Sequence, residues 1–277
     1  MGVLGAPGAS RAPDAPASRG SLRTPAWLRP HADGRLAPRR ARPGLAVTAF
    51  VLVPGACHGG WWYDPLVDAL EADGHIAIAI TLAGLEDKPQ LDRMITLGTH
   101  IDQVAEAVPD AGRIVLVGHS YAGAVITGVA DRLPQQIGAS VYLDAFWPED
   151  GDSCWDMAND EMREWYIRGC ARTGYGVDPL PFFDDRARPH PVATFLQALP
   201  LTGAWHDIPV KHYVAARWPG ESPMATSTDR ARSDPSTVVH DWDTGHNVLA
   251  NGPELVLQLL QTLPTYGQPG ATSTKSQ

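Results

Sequence analysis

Short apolar runs alternate with amphipathic segments along most of this chain. The run AFVLVPG, which starts at Ala49, has no polar face and is typical of a strand buried on both sides of a sheet. The segment YDPLVDALEADG, which starts at Tyr63, has helical spacing and ends at a glycine. The alternation continues through the predicted strands HIAIAIT, RIVLVGHS, ASVYLDAF, VKHYVAA and STVVHDW and the predicted helices THIDQVAEAV, AGAVITGVADRL and GPELVLQLLQTL. This order predicts an α/β fold, with a mainly parallel sheet and helices on both faces.

Three segments break the alternation. Residues 1–43 are rich in Ala, Pro, Gly, Ser and Arg and show no strand or helix period, so we predict a disordered N-terminal arm. Residues 266–277 are predicted to be a disordered polar tail. Between these ends, residues 44–265 are predicted to be the α/β domain. The segment from about 147 to 205, rich in Trp, Asp, Arg and Pro, is interpreted as a small helical cap inserted into it.

Composition narrows the class of partner. The net charge is −9, and nucleic-acid-binding proteins usually carry a basic face, so no nucleic acid is expected. No window approaches the roughly 18 uninterrupted apolar residues of a membrane span, so no membrane partner is expected either. The three cysteines Cys57, Cys154 and Cys170 are too few and odd in number for a disulfide framework, which favours a cytoplasmic location. The oligomeric state stays open.

The segment IVLVGHSYAG places Ser120 between a predicted strand and a predicted helix. A serine on such a tight turn is the nucleophile elbow of one large class of hydrolases, where the hydroxyl stands above the carboxyl ends of the strands. Strand and helix nearly collide there, and Gly118 and Gly123 provide the small residues that the turn needs. Ala122 departs from the usual G-x-S-x-G pattern by one methyl group. The alternative is that Ser120 only caps the helix.

A serine nucleophile needs a base, and the predicted base is His246. It stands in DTGHN, between the last predicted strand and the last predicted helix, with Gly245 before it to open the loop. His240 lies on the strand itself and is interpreted as structural.

The acid that would orient His246 has two candidates. In the fold of these hydrolases the acid commonly follows the strand between the cap and the histidine, which here is the predicted strand VKHYVAA. That position holds Trp218, Pro219 and Gly220, and the nearest carboxylate is Glu221. The other position is the end of the strand after the nucleophile helix, where VYLDAFWPEDG places Asp144. A buried aspartate there needs a partner, which His246 would provide. We favour Asp144 and keep Glu221, or neither, as alternatives.

Backbone amides are the expected donors to the developing oxyanion. One is the N–H of Tyr121, directly after the serine, and the other is the N–H of Ala56 in the loop VPGACHGGWW. His58 is expected to brace this loop. Large side chains close by are predicted to border the substrate pocket: His58, Trp61, Trp62 and Trp147.

These motifs resemble a known family. The segments FVLVPGACHGGWWYDPLVDALEADGH, VGHSYAG, VYLDAFWPEDGDS and DTGHN are similar to the small α/β-hydrolases that include plant methylesterases, hydroxynitrile lyases and bacterial esterases. The resemblance spans roughly residues 48–262 and implies a serine hydrolase without cofactor, with a small helical cap and an apolar pocket. Two features depart from the family: Pro54-Gly55 replaces the familiar His-Gly of the oxyanion loop, and the usual acid position holds no carboxylate.

Competing reactions are disfavoured by single residues. The lyases of this group carry a lysine directly after the catalytic histidine, where this chain has Asn247. Epoxide hydrolases and dehalogenases of the fold carry aspartate in place of Ser120. No metal-ligand spacing and no phosphate-binding G-x-x-x-x-G-K-[ST] motif occurs in the sequence.

The sequence thus predicts an esterase that cleaves a small to medium apolar or aromatic ester through an acyl-enzyme. Two alternatives remain. One is a thioesterase or tailoring acyl hydrolase of a secondary-metabolite pathway. The other is a non-catalytic ligand-binding relative, which the unfilled acid position keeps open.

Overall fold

The computed structural model describes residues 47–88, 94–110 and 112–266. The predicted arm over residues 1–43 lies outside the described residues, and so does all of the predicted tail except Tyr266. The backbone N–H of Tyr266 donates to Thr48 Oγ1 at 3.2 Å, and its ring packs against Gly138.

The bounds of the elements are as follows. The strands are β1 (Ala49–Val53), β2 (Ile76–Ala79), β3 (Ile114–His119), β4 (Ile137–Leu143), β5 (Gly176–Val177), β6 (His190–Pro191), β7 (Val210–Ala216) and β8 (Thr237–Trp242). The helices are α1 (Asp64–Ala72), α2 (Leu97–Ala107), α3 (Ala122–Arg132), α4 (Cys154–Met157), α5 (Asp160–Cys170), α6 (Ala193–Leu196), α7 (Ala225–Ser233), α8 (Val248–Asn251) and α9 (Pro253–Thr262).

Six of these strands form one sheet in the order β2-β1-β3-β4-β7-β8. Every neighbouring pair in it is parallel. The three strands β1, β3 and β4 are buried along their whole length, which is why their sequences are continuous apolar runs rather than alternating ones.

Helices cover both faces of the sheet. One face packs on α1 and α9 through Leu66, Leu70 and Leu259, while the other packs on α2 and α3 through Ile101 and Val125. The predicted α/β architecture is therefore confirmed. Helix α2 begins two residues earlier than its predicted start at residue 99, because Thr96 and Thr99 form a capping box.

The chain between β4 and β7 carries the short helices α4, α5 and α6 and the antiparallel pair β5-β6. This region contains the predicted cap, residues 147–205, which we call the cap segment. Its first and last residues, Trp147 and Trp205, are each 1% exposed and pack edge to face with ring centroids 5.1 Å apart. The segment is thus anchored to the core at both ends.

The parallel sheet brings several loops together at the carboxyl ends of its strands. Ser120 directly follows β3, and Asp144 directly follows β4. The loop with Ala56 follows β1, Trp218 follows β7, and His246 follows β8. Ligands of open α/β sheets bind at this edge.

Candidate active site

Ser120 lies in a strained turn between β3 and α3. Its φ is 53°, in the left-handed region that non-glycine residues rarely adopt. The carbonyl of Ser120 accepts hydrogen bonds from the backbone N–H groups of Gly123 (3.1 Å) and Phe146 (3.0 Å), which hold this geometry. A Cβ on Gly123 would lie 2.0 Å from Phe146 O. The glycine that this elbow needs is therefore Gly123, one residue beyond the usual motif position, where Ala122 is tolerated.

His246 reaches the serine from the loop between β8 and α8. Its Nε2 lies 3.0 Å from Ser120 Oγ, so the neutral imidazole can accept the hydroxyl proton. The backbone carbonyl of His246 accepts from His119 Nε2–H at 2.9 Å. Burial lowers the pKa of His119 well below its usual value, so this ring stays neutral. The ring of Trp62 stacks on it with centroids 4.5 Å apart. His119 and Trp62 thus support the main chain of His246.

Asp144 is the carboxylate that the structure brings to His246. Its Oδ2 lies 2.6 Å from His246 Nδ1, and the residue is 1% exposed. Like Ser120 it has a positive φ, 44°, and its backbone N–H donates to Val214 O at 2.7 Å. The alternative acid Glu221 is exposed, and no hydrogen bond joins it to His246 in the described part of the chain.

Two further groups satisfy the buried carboxylate of Asp144. The backbone N–H of Ala216 donates to Oδ1 at 3.1 Å, and Trp218 Nε1–H donates to Oδ2 at 3.0 Å. Trp218 occupies the position after β7 where this fold commonly carries its acid and this sequence has no carboxylate. The sequence gives no sign of the role of Trp218, because an indole is not a titratable group and only its hydrogen bond reveals the connection.

The loop after β1 passes directly over the serine turn. A Cβ on Gly55 would lie 3.1 Å from Ser120 Cβ and 2.7 Å from His119 Nδ1, so only glycine allows this approach. The N–H groups of Ala56 and Tyr121 donate to no acceptor within the described residues. Both amides are therefore available to a bound oxyanion.

His58 and Trp61 lie beside this loop. His58 Nδ1–H donates to Ala56 O at 2.7 Å, as expected for a residue that braces the loop. Its ring centroid lies 4.9 Å from that of Phe183 in the cap segment. The ring of Trp61 is half-buried, and the Arg186 guanidinium lies 4.0 Å from its centroid in a cation–π contact. These rings provide a mainly aromatic border between loop and cap.

Trp147 departs from its predicted place at the pocket. Its ring is 1% exposed and packs on the rings of Tyr142, Trp205 and Tyr213 at centroid distances of 4.6, 5.1 and 5.9 Å. Its position as a large ring at the start of the cap segment predicts a place at the pocket. The physical reason for the difference is that this first residue anchors the cap to the core.

Neither a metal centre nor a membrane-spanning helix is found in residues 47–88, 94–110 and 112–266. Within these ranges no three His, Cys, Asp or Glu side chains are grouped as metal ligands. None of the helices in the same ranges is long and apolar enough to cross a bilayer.

A hydroxyl hydrogen-bonded to an imidazole, which is in turn held by a carboxylate, is the arrangement of serine hydrolases. A strand–turn–helix serine with the histidine after the last strand is its form in the α/β-hydrolase fold. The fold and the arrangement of these side chains are therefore those of the α/β-hydrolases.

Sequence similarity to known proteins indicates the same class. A sequence model described as the alpha/beta hydrolase family matches residues 50–259. The carbendazim hydrolyzing esterase of Nocardioides sp. (strain SG-4G) is 32% identical over 241 residues, which cover 77% of this chain and 98% of that protein. Salicylic acid-binding protein 2 of Nicotiana tabacum is 38% identical over 104 residues, which cover 36% of this chain and 40% of that protein.

A solved structure shows the same fold. An extracellular α/β-hydrolase from a Paenibacillus species, described as sharing structural and functional homology with tobacco salicylic acid binding protein 2, superposes with a TM-score of 0.65 at 20% identity. The match covers 77% of this chain and 97% of that one. This chain belongs to the alpha/beta hydrolase family, and within it the chain is a carboxylic ester hydrolase. The resemblance found in the sequence is thereby confirmed.

Proposed function

We propose that Ser120, His246 and Asp144 cleave a carboxylic ester through a covalent acyl-enzyme. The observation that carries this proposal is a pair of hydrogen bonds that share His246: Ser120 Oγ lies 3.0 Å from His246 Nε2, and His246 Nδ1 lies 2.6 Å from Asp144 Oδ2. These three side chains lie at the sheet edge where this fold binds its ligands.

The mechanism follows from the direction of these bonds. His246 Nε2 takes the proton of Ser120 as Oγ attacks the ester carbonyl, and Asp144 holds the imidazole in the correct tautomer and stabilises the imidazolium. The Ala56 and Tyr121 amides receive the oxyanion. Protonated His246 then gives its proton to the departing alcohol. In the second half, His246 activates a water that releases the acid and frees Ser120.

The proposed substrate is a small to medium ester with an apolar or aromatic body. The rings of His58, Trp61 and Phe183 beside the oxyanion loop support this choice, because aromatic borders favour apolar ligands. The net charge of −9 disfavours a polyanionic substrate. The Nocardioides relative is named as an esterase that hydrolyses carbendazim, which adds support for a small-molecule substrate.

Serine and histidine variants test the chemistry. We expect Ser120→Ala and His246→Ala to abolish turnover of short p-nitrophenyl esters while circular dichroism and thermal unfolding stay close to wild type. His240→Ala, a histidine on the preceding strand, is the matched control and should keep its activity. A fluorophosphonate probe should label the wild type and leave Ser120→Ala unlabelled. Full activity of Ser120→Ala would overturn the scheme.

A substrate panel separates the remaining alternatives. Aryl esters, lactones and acyl-CoA thioesters offered to the wild type at equal concentration should rank with the aryl esters first. A preference for thioesters would favour the thioesterase alternative. The hydrogen bond between Asp144 Oδ2 and His246 Nδ1 supports Asp144 as the acid, and it therefore disfavours the alternative of a non-catalytic ligand-binding relative.

We also propose a cytoplasmic location. The support is that Cys57, Cys154 and Cys170 are free thiols, as expected in a reducing compartment. The Paenibacillus relative is described as extracellular, so fractionation of the native host, with immunodetection in cytosol and medium, is the direct test.

A further inference from the structure

The backbone at Cys57, directly after the oxyanion donor Ala56, adopts a conformation that its side chain disfavours. Its φ is 68°, and the His58 N–H donates to Gly55 O at 3.3 Å to close a four-residue turn. A positive φ at the third residue alone is the mark of a type II turn, where glycine normally stands. A non-glycine residue persists there only when its surroundings hold it.

The cap segment holds Cys57 from one side. Its N–H donates to His190 Nδ1 at 3.2 Å, and its carbonyl accepts from the Arg188 N–H at 2.9 Å. Its thiol lies 3.7 Å from Val177 O. Cys57 itself is fully buried. All of these partners lie on or next to the small β5-β6 pair, so the cap and the oxyanion loop are joined at this residue.

A second imidazole holds the same peptide group from the other side. The carbonyl of the peptide between Ala56 and Cys57 accepts from His58 Nδ1–H at 2.7 Å, and the N–H of that peptide donates to His190. The peptide is planar, so these two bonds fix its rotation. A type I turn differs from type II chiefly by a flip of this central peptide. The flip would break both bonds.

The bond from the Cys57 N–H requires a neutral His190 ring, whereas the His58 Nδ1–H donates in either protonation state. Burial lowers the pKa of His58, and it lowers the pKa of His190 well below its usual value. Neutral His190 accepts at Nδ1 and therefore carries its proton on Nε2, which has no hydrogen-bond partner in the described residues. The ring of His190 meets the ring of Tyr121 edge to face at 4.5 Å. The ring thus contacts Tyr121, which carries one proposed oxyanion donor, and the N–H of Cys57, which directly follows Ala56, the residue of the other.

We propose that His58 and His190 are positioning residues that lock the Ala56–Cys57 peptide in its type II orientation. The Ala56 N–H, the proposed oxyanion donor, belongs to the preceding peptide of the same turn, so this lock acts by holding Ala56 itself in place. The inference rests on the proposed esterase function. It makes the cap segment part of the catalytic apparatus rather than only a cover for the substrate.

Paired variants at His190 test the hydrogen bond rather than the bulk of the ring. Asn places a carbonyl oxygen close to the position of Nδ1 and can still accept from Cys57, whereas Leu cannot. We expect His190→Leu to lower kcat for a p-nitrophenyl ester by about 10–100-fold with KM within about 2-fold, because only the transition state uses the oxyanion donors. His190→Asn should recover most of this loss. His212→Leu, outside the loop, is the control.

A rescue experiment separates positioning from general damage to the fold. Glycine adopts a positive φ without being held. Cys57→Gly added to His190→Leu should therefore restore kcat, while a merely structural loss would stay. Affinity for a trifluoromethyl ketone, which forms an oxyanion adduct with the serine, should fall and recover in parallel with kcat.

The outcomes distinguish this inference from the function on which it rests. If His190→Leu keeps wild-type kcat, or if Cys57→Gly fails to restore it, the positioning role is overturned while ester hydrolysis stands. If His190→Leu does not fold, the kcat values of His190→Asn and His190→Gln test the positioning role instead. Only the Asn side chain places an oxygen at the Nδ1 position, so His190→Asn should have the higher kcat. Equal kcat values would count against the proposal. A wild type that turns over no ester would overturn both.

Discussion

The indole Nε1 of Trp218 lies 3.0 Å from Oδ2 of Asp144, the same oxygen that accepts the Nδ1–H of His246. The indole ring also packs on the His246 imidazole with centroids 4.9 Å apart. Trp218 follows β7, where this fold commonly carries its acid. In this chain the carboxylate follows the neighbouring strand β4 instead. Trp218, at the usual acid position, donates a hydrogen bond to that carboxylate.

Removing the indole donor should slow catalysis without removing the ring. Trp218→Phe keeps an aromatic face against His246 but leaves Asp144 Oδ2 with one donor fewer. A hydrogen bond to a charged group contributes about 1.5–3 kcal/mol, and Trp218 is half-buried, so we expect the lower end, about a 10-fold loss in kcat. Trp218→Ala should lose more, since the ring contact goes as well. Equal kcat values for wild type and Trp218→Phe would contradict the role of the indole.

The acid itself should carry a larger effect. Asp144→Asn leaves the shape of the site intact but no longer favours the tautomer of His246 that accepts the serine proton. The corresponding change in the classical serine protease triad costs about 10⁴-fold in kcat, and we expect a loss of about 10³–10⁴-fold here. Glu221→Gln is the matched control, because Glu221 is exposed, and it should remain within about 2-fold of wild type. A larger loss in the control than in Asp144→Asn would reverse the assignment.

The shifted glycine of the serine turn offers a test of stability. Gly123→Ala would place a methyl group 2.0 Å from Phe146 O, which is backbone and cannot move aside without displacing the chain after β4. We expect loss of at least about 3 kcal/mol of unfolding free energy, or no folded protein. Gly220→Ala, where a Cβ meets nothing within 4 Å, should be neutral in the same urea titration. A stable Gly123→Ala protein with wild-type activity would show that the turn tolerates a wider separation.

Sequence patterns anticipated the parts of the molecule that depend on local signals. The buried strands β1, β3 and β4 are continuous apolar runs, and the serine turn is a contiguous motif, so both are legible from neighbouring residues. The sequence favoured Asp144 over Glu221 as the acid but did not decide between them, because the choice depends on which strand end lies beside His246. Trp218 and His190 were missed for the same reason: each acts through a single hydrogen bond to a residue 74 or 133 positions away in the chain.

Buried histidines make stability depend on pH in a defined direction. Burial lowers the pKa of His100 to about 4, and it lowers those of His119 and His190 well below their usual value. In the unfolded chain these side chains take up protons below about pH 6.5, while in the folded chain they stay neutral. The unfolded state then binds more protons, so the contribution of these histidines to the free energy of unfolding is constant above about pH 7 and falls as the pH drops from 6.5 towards 4. Each histidine contributes up to about 1.4 kcal/mol per pH unit in that window.

Urea unfolding at pH 7.5, 6.5 and 5.5 measures the slope, and His100→Gln should reduce it by about one histidine's share, whatever its effect at pH 7.5. An unfolding free energy that stays level from pH 7.5 to 5.5 would mean that these imidazoles are protonated in the fold, which the acceptor role of His190 Nδ1 towards Cys57 does not allow.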